Sequence, residues 1–391
     1  MQHNILSFFC VPKSIALYQL IKLEKSKKNE NLKVIVAMSG GVDSSVAAAL
    51  LNEQGYNVIG VTMKTWGYDN IPDKDSGCCS LESIYNARNV ADELGISHYT
   101  MDFTSKFNET VINNFIDEYV HGRTPNPCVL CNRSIKWGAL LEKAESLGAD
   151  FIATGHYAKV NLNVSSNRYY ISAANDRNKD QSYALWMLKQ HSLSKTIFPL
   201  GDLKKNEVRE LAKKYNLKSA DVPDSQEICF VPNNDYRELL KVRIPDINEK
   251  INSGDIIYHD NKIGTHNGYI NYTIGQRRGL NTLVNKPLYV SKIDAENNII
   301  YVDDEENLYN SMFTTKDVNL MLMDSINHPM NAIVKIRYKD AGEDATIEQI
   351  NEDHIKVTYH KPKKAITPGQ SAVFYDGDDI IGGGIIDSII E

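Results

Sequence analysis

Residues able to hold a phosphate and residues able to carry sulfur both occur in this chain, far apart in sequence. The first set is Ser39-Gly40-Gly41-Val42-Asp43-Ser44-Ser45. It follows five apolar residues, Val34 to Met38, and precedes Val46, Ala47, Ala48, Leu50 and Leu51. The apolar run reads as a buried parallel strand and the later spacing as a helix. Adjacent glycines let successive backbone N–H groups point into one concavity, and a helix start adds unpaired N–H groups and the positive end of its dipole. That combination takes a phosphate or pyrophosphate. A Walker A loop is excluded because no Gly-Lys-Ser/Thr follows, and the glycine spacing is not a dinucleotide fingerprint.

The sulfur set begins in Gly122-Arg-Thr-Pro-Asn-Pro-Cys-Val-Leu-Cys-Asn132. Pro125 and Pro127 stiffen an extended lead-in. Cys131 then stands just before a helix marked by Trp137, Leu140, Leu141, Ala144 and Leu147 and ended by Gly148. A thiol at a helix N-terminus beside Arg133 has a lowered pKa, the setting of a nucleophile. Cys128-x-x-Cys131 is also half a zinc site, but zinc asks for a second Cys or His pair, and the sequence offers none at suitable spacing. Cys229 lies in Asp224-Ser-Gln-Glu-Ile-Cys-Phe230, where only the fold could bring it to Cys131. The adjacent Cys78 and Cys79 read as structural, since neighbouring side chains diverge too far to pair.

These residues need a frame. Val58–Met63, Ile96–Met101 and Phe151–His156 read as further strands, the last broken by Gly155. In an open parallel sheet ligands bind beyond the carboxyl ends of the strands. Gly155 would admit a nucleotide there. Met63 is either a nucleobase contact or a core methionine, and His156 either a surface histidine or a substrate contact. Phe107, Val111, Phe115 and Tyr119, with Ile112 and Ile116, recur at helical spacing. Residues 157–174 read as a hairpin around Ser165-Ser166-Asn167. Lys204, Lys205, Arg209, Lys213 and Lys214 lie off the apolar face of a helix after Asp202, either as a solvated face or as phosphate contacts. From Tyr236 the texture changes to glycine-punctuated short strands, with the basic loop Tyr272-Thr-Ile-Gly-Gln-Arg-Arg-Gly279. Strand-length segments then follow at 332–338, 345–350, 354–359, 371–375 and 380–386, which predict a small β-barrel or sandwich.

A chain of 391 residues exceeds a single core, and 42% hydrophobic with 24% charged residues describes an ordinary globular protein. A net charge of −7 means that any nucleic-acid contact rests on local basic patches. Six cysteines so placed fit a reducing, cytoplasmic setting better than a disulfide scaffold. In residues 1–32 a short apolar stretch precedes its lysines, the wrong order for a secretory signal. A mis-called start or a loose arm is favoured there over organellar targeting.

The Ser-Gly-Gly-Val-Asp-Ser-Ser string resembles the PP-loop of the ATP pyrophosphatases. Together with Gly-Arg-Thr-Pro-Asn-Pro-Cys-Val-Leu-Cys-Asn, Ala-Thr-Gly-His-Tyr, Lys-Asp-Gln-Ser-Tyr, Asp-Ser-Gln-Glu-Ile-Cys-Phe and Tyr-Thr-Ile-Gly-Gln-Arg-Arg-Gly in this order, it makes the chain from Lys33 onward similar to the tRNA-specific 2-thiouridylase family. The resemblance implies an α/β fold with a parallel-sheet PP-loop domain of the adenine nucleotide alpha hydrolase type (33–235), a small, mostly β central domain (236–308) and a C-terminal β-barrel (309–391). It implies ATP-dependent adenylation of O2 of wobble uridine U34 in tRNAs for Lys, Glu and Gln, then sulfur transfer from a cysteine persulfide.

In that family's terms Ala37, Met38, Ser39, Gly40, Gly41, Val42, Asp43, Ser44, Met63 and Gly155 would bind ATP, with Mg2+ as its companion. Cys131 would be the nucleophile and Cys229 the persulfide carrier, the two closing a disulfide in turnover. Asn126, Pro127, His156, Lys179, Asp180, Gln181, Arg337, Tyr338 and Gln370 would meet tRNA, and a sulfur relay protein or cysteine desulfurase would supply the persulfide. Many members carry Asp where this chain has Cys128, so an acid–base role for that position does not transfer. A three-thiolate iron–sulfur site of Cys128, Cys131 and Cys229 is the weaker alternative, because clusters ordinarily take four ligands. Lysidine synthetases, amide-forming PP-loop enzymes and an RNA-binding module with a relic loop are the rival classes.

Overall fold

A computed structural model describes residues 29–66, 81–221, 228–231, 235–244, 247 and 252–390. The expectations for residues 1–28, for Cys78 and Cys79 and for Asp224 to Glu227 fall outside them.

The N-terminal sheet is parallel throughout. Its order is β3 (Ser97–Asp102), β2 (Asn57–Lys64), β1 (Lys33–Ala37), β4 (Phe151–Thr154), β7 (Thr196–Ile197). Both faces of β1 are covered, which is why its sequence is a continuous apolar run. Val34 and Val36 pack towards helix α1 (Val42–Glu53), whose Ala47, Ala48 and Ala49 allow close approach. Ile35 and Ala37 face the other side, towards Trp137, Leu140 and Leu141. Helix α2 (Leu81–Leu94) connects β2 to β3. The chain leaves β1 for β2 on one side and later adds β4 on the other. The C-terminal end of β1 is therefore a switch point of the sheet, the place where such folds bind ligands.

Two helices change pitch. Helix α3 runs as Thr104–Phe107, Asn108–Ile112 and Asn113–Val120, and the middle piece is π-type. Its apolar repeat at 107, 111, 115 and 119 overshoots a 3.6-residue turn, and the wider turn takes up the difference. Phe107, Val111, Ile112, Phe115 and Tyr119 are all buried, as their spacing predicts. Helix α4 runs as Pro127–Leu130, Cys131–Leu140 and Leu141–Ser146, again π-type in its middle piece.

The hairpin β5 (Ala158–Asn163) and β6 (Arg168–Ala173) forms as read. Helix α5 (Lys205–Lys214) follows β7, and α6 (Tyr236–Arg243) opens the next module. There β8 (Gly254–Tyr258), β9 (Asn261–His266), β10 (Tyr289–Asp294) and β11 (Ile299–Asp303) pair in the order β10-β11-β8-β9. Ile256, Val290 and Ile300 share one apolar cluster with Phe115 and Tyr119 of α3, so this sheet has no separate core.

The barrel-or-sandwich alternative resolves as a closed six-stranded barrel. Strands β12 (Tyr309–Leu320), β15 (His354–Lys364), β14 (Glu343–Asn351), β13 (Met330–Lys335), β16 (Ser371–Asp376) and β17 (Asp379–Ile390) follow in order, and β17 pairs back to β12. Closure removes the exposed edges that an open sheet would leave. The β5–β6 hairpin adds to the barrel sheet through β6 and β17, with Ser172 opposite Asp379.

Candidate active site

The glycine turn sits at the switch point. Gly40 has φ +76°, and a Cβ there would stand 2.3 Å from the Ser83 carbonyl oxygen of α2, so only glycine fits. Gly41 caps α1 in extended conformation. The Ser44 hydroxyl accepts from Ser39 N–H at 3.1 Å and donates to the Gly41 carbonyl at 3.1 Å, fixing the turn. Helix geometry leaves the first-turn N–H groups of α1 without intrahelical acceptors, facing the loop's concavity.

Asp43 is held rather than open. Lys205 Nζ lies 2.7 and 2.8 Å from its two oxygens, and Tyr157 OH donates to Oδ1 at 2.7 Å. Lys205 is thus neither on a solvated face nor remote from the nucleotide edge; it turns inward to the loop. The loop's own carboxylate is thus already engaged by Lys205 and Tyr157.

Gly155 packs directly on the glycine loop. The nearest atoms to a Cβ there would be Ser44 N at 2.6 Å and Asp43 C at 2.7 Å, so its smallness lets the end of β4 press on the loop itself. The Met38 side chain is buried, its sulfur against Gly60, while its carbonyl accepts from Thr62 Oγ1 at 2.8 Å. Ala37 is buried beneath the loop, and half-buried Met63 packs between the two apolar clusters flanking the sheet's other face.

The cysteine helix begins earlier than its prolines imply. Pro127 occupies the first helical position, where its missing N–H costs nothing, and Cys131 N–H already bonds back to the Pro127 carbonyl. Cys131 therefore stands inside the helix, at the change of pitch, and is not the helix-terminal thiol that its sequence setting predicts. Arg133 directs Nη1 to Met187 Sδ at 3.9 Å. Cys131 and Cys229 are both reduced thiols and partly buried, and both pack on the cluster that holds Phe115, Ile135 and Phe230. Both thiols, nearly a hundred residues apart in sequence, thus pack against the same extended apolar cluster.

Cys128 is exposed, yet protein surrounds it closely enough that desolvation raises its thiol pKa, with Lys136 pulling the other way. Tyr338 stands near both Asp180 and Cys128: burial first, then these two groups, push its hydroxyl pKa up.

Several residues expected at tRNA also bond within the protein. Gln370 Nε2 donates to the carbonyls of Thr124 and Pro125, both at 3.0 Å, tying the barrel to the proline lead-in. Asn126 lies beside the Tyr183 hydroxyl, which donates to the Ser371 carbonyl at 2.8 Å. Asp180 accepts from Ala174 N, Ser182 N and Ser182 Oγ, while Gln181 Oε1 accepts from Tyr157 N. Arg337 Nη2 donates to the Ala365 carbonyl at 2.7 Å. It lines a cavity of about 550 Å³ with Thr124, Thr273, Gln276, Lys364 and Gln370, where all three parts of the chain meet.

His156 is buried, not a surface histidine. Its Nδ1 is 2.6 Å from Thr154 Oγ1 and its Nε2 3.4 Å from Lys136 Nζ. Burial, helped by Lys136, holds its pKa well below the usual histidine value. Sequence reading missed Lys136, Tyr157 and the inward turn of Lys205; a lone lysine or tyrosine carries no local signal of its partner.

A glycine-turn phosphate site at the switch point of a parallel sheet, on a chain that also carries free thiols, defines a PP-loop nucleotide-dependent protein with two appended β modules. Residues 32–233 match the family model described as tRNA methyl transferase HUP domain. Residues 245–304 match its PRC-barrel domain, and residues 310–386 an aminomethyltransferase beta-barrel domain. The chain is 48% identical over 362 residues to the tRNA-specific 2-thiouridylase MnmA of Salinibacter ruber, covering 91% of this chain and 94% of that one. It is 49% identical to that of Cytophaga hutchinsonii, covering 91% and 97%. The chain belongs to the tRNA-specific 2-thiouridylase family.

Proposed function

We propose that this protein converts O2 of wobble uridine U34 in tRNAs for Lys, Glu and Gln to sulfur. A uridine carbonyl is a poor electrophile, and its oxygen leaves poorly. In our reading O2 attacks the α-phosphorus of ATP, pyrophosphate departs from the Ser39–Ser44 loop, and uridine becomes a good substrate for displacement of AMP. Ala37, Met38, Val42, Met63 and Gly155 shape the nucleotide side. Mg2+ accompanies the phosphates.

Sulfur arrives as a persulfide on Cys229, loaded by a relay protein or cysteine desulfurase. Cys131 thiolate attacks the inner sulfur, the S–S bond breaks and hydrosulfide leaves. Hydrosulfide adds to C2, AMP departs with the former O2, and a proton returns to N3. The two cysteines end as a disulfide, which an external dithiol reduces for the next cycle. Lys179, Arg337 and Tyr338 contact the tRNA, while Asn126, Pro127, His156, Asp180, Gln181 and Gln370 shape the cleft that receives it. Among the described residues no helix is long and apolar enough to cross a membrane, and we place the activity in the cytoplasm, where thiols stay reduced.

The observation that carries this reading is the pair Cys131 and Cys229, both free thiols packed against one apolar cluster of a PP-loop protein. The test incubates the protein with ATP, tRNA, cysteine and a cysteine desulfurase and measures 2-thiouridine by mass spectrometry. Cys131→Ser and Cys229→Ser should each abolish thiolation and retain tRNA-dependent ATP–pyrophosphate exchange. Full thiolation by Cys229→Ser would overturn the sulfur assignment; absence of exchange in the wild type would overturn adenylation.

A further inference from the structure

Lys136 sits where the two halves of the site meet. It projects from the π-type stretch of α4, where bonds close over five residues, so Cys131 and Lys136 lie on nearly one face. In an α-helix residues five apart diverge by about 140°. Cys128, Asn132 and Lys136 stand at successive four-residue steps along the same helix.

The ammonium group is fixed from two elements. Lys136 Nζ donates to Asn132 Oδ1 at 2.9 Å and reaches His156 Nε2 at 3.4 Å. An ammonium only donates, so Nε2 must offer its lone pair, and Nδ1 carries the proton that goes to Thr154 Oγ1. Burial keeps that imidazole neutral. A neutral acceptor holds a lysine without cancelling its charge, whereas a carboxylate would form an ion pair. Among the described residues, Asp180 is engaged by Ala174 and Ser182, and Asp43 by Lys205. Cys128, across from Tyr338 and Asp180, feels the charge of Lys136.

We infer that Lys136 is the fixed cation that holds the sulfur anion released in the transfer step, with Asn132 and His156 as its positioning residues. The inference rests on the thiolation reading above. When Cys131 thiolate displaces hydrosulfide from the Cys229 persulfide, the Cys131–Cys229 bond forms as the S–S bond of the persulfide breaks; the Cys131 sulfur is oxidised, and the outer sulfur is reduced to sulfide and leaves with the electron pair. An anion so released would otherwise be protonated or diffuse away. A neighbouring ammonium keeps it ionised and close until it adds to C2 and AMP departs. Adenylation at the Ser39–Ser44 loop does not involve this charge.

The test compares Lys136→Met, Lys136→Gln and Lys136→Arg in two assays on the same preparations: 2-thiouridine formation with cysteine and a cysteine desulfurase, and tRNA-dependent ATP–pyrophosphate exchange. Thermal melting checks folding. Lys136→Gln keeps a donor for Asn132 and His156 but removes the charge. Thiolation should fall at least tenfold in Lys136→Met and Lys136→Gln, with exchange within twofold of wild type, and Lys136→Arg should restore most of the thiolation. Wild-type thiolation by Lys136→Gln would overturn the charge argument, as would a parallel loss of both activities in a folded variant. Loss of exchange in the wild type itself would instead strike the underlying thiolation reading.

Discussion

Gly155→Ala is the sharpest probe of how the nucleotide loop is held. The added Cβ would stand 2.6 Å from Ser44 N, 2.7 Å from Asp43 C and 3.0 Å from Asp43 Cβ. These are mostly backbone atoms at the start of α1, so no flexible side-chain tip can yield. Overpacking of this kind costs about 1–3 kcal/mol. If the loop itself moves, the loss appears in nucleotide binding, and at about 1.4 kcal/mol per tenfold it raises the ATP KM in exchange by roughly 5–150-fold. If the loop stays and the sheet gives way, the same energy appears as a Tm fall of about 2–4 °C per kcal/mol for a domain of this size. Gly95→Ala is the control: φ is +67°, and a Cβ there would have nothing within 4 Å, so backbone strain alone should lower Tm with ATP KM unchanged. Exchange kinetics and melting curves together decide. A Gly155→Ala protein with wild-type KM and Tm would refute the claim that close packing of β4 on the loop shapes the site.

Gln370→Ala removes two donors to the Thr124 and Pro125 carbonyls at a cost of about 0.5–1.5 kcal/mol each, and should lower the thiolation rate several-fold while exchange is maintained. Equal loss in both assays would count against a role confined to the sulfur helix. Stability should also depend on pH. Desolvation depresses the folded-state pKa of His98, His156 and His266, so the unfolded chain binds more protons below its histidine pKa of about 6.5. Their contribution is complete above that pH and is lost as pH falls towards the folded values, with at most about 1.4 kcal/mol per pH unit for each histidine. Chemical denaturation from pH 7.5 to 5.5 should show that slope, and His156→Gln should flatten part of it; an unchanged slope would contradict the buried neutral imidazole.

The phosphate turn, the parallel strands and the hairpin were legible because each rests on local pattern: an apolar run, paired glycines, a helical repeat. Barrel closure was not legible in the local pattern, which left barrel and sandwich open; the β-barrel that the family resemblance implied is the one observed. Strand β12 pairs with β15 and β17 through register shifts near Asn310/Met312, Thr314/Thr315 and Lys316/Asn319, and such irregularities interrupt the alternation by which a strand is recognised. The position of Cys131 was misjudged for a different reason. Pro127 reads as a helix breaker, yet at the first helical position it favours the helix, and the two cases look alike without the backbone. Gln370, Asp180 and Gln181 show the same limit for contacts: residue type reveals a hydrogen-bonding group, but not that its partners are backbone atoms of another segment.

The end of β4 explains how one site can serve two chemistries. Extended backbone sends alternate residues to opposite sides. Thr154 and His156 share a side and a 2.6 Å contact, and His156 reaches across to Lys136 on the cysteine helix. Gly155 between them faces the first turn of α1 with no side chain in the way. A displacement of this three-residue segment therefore moves the phosphate loop and the sulfur helix together. A bulkier residue at 155 pushes against the loop and simultaneously carries His156 off Lys136, so thiolation should suffer from both causes while exchange suffers from one.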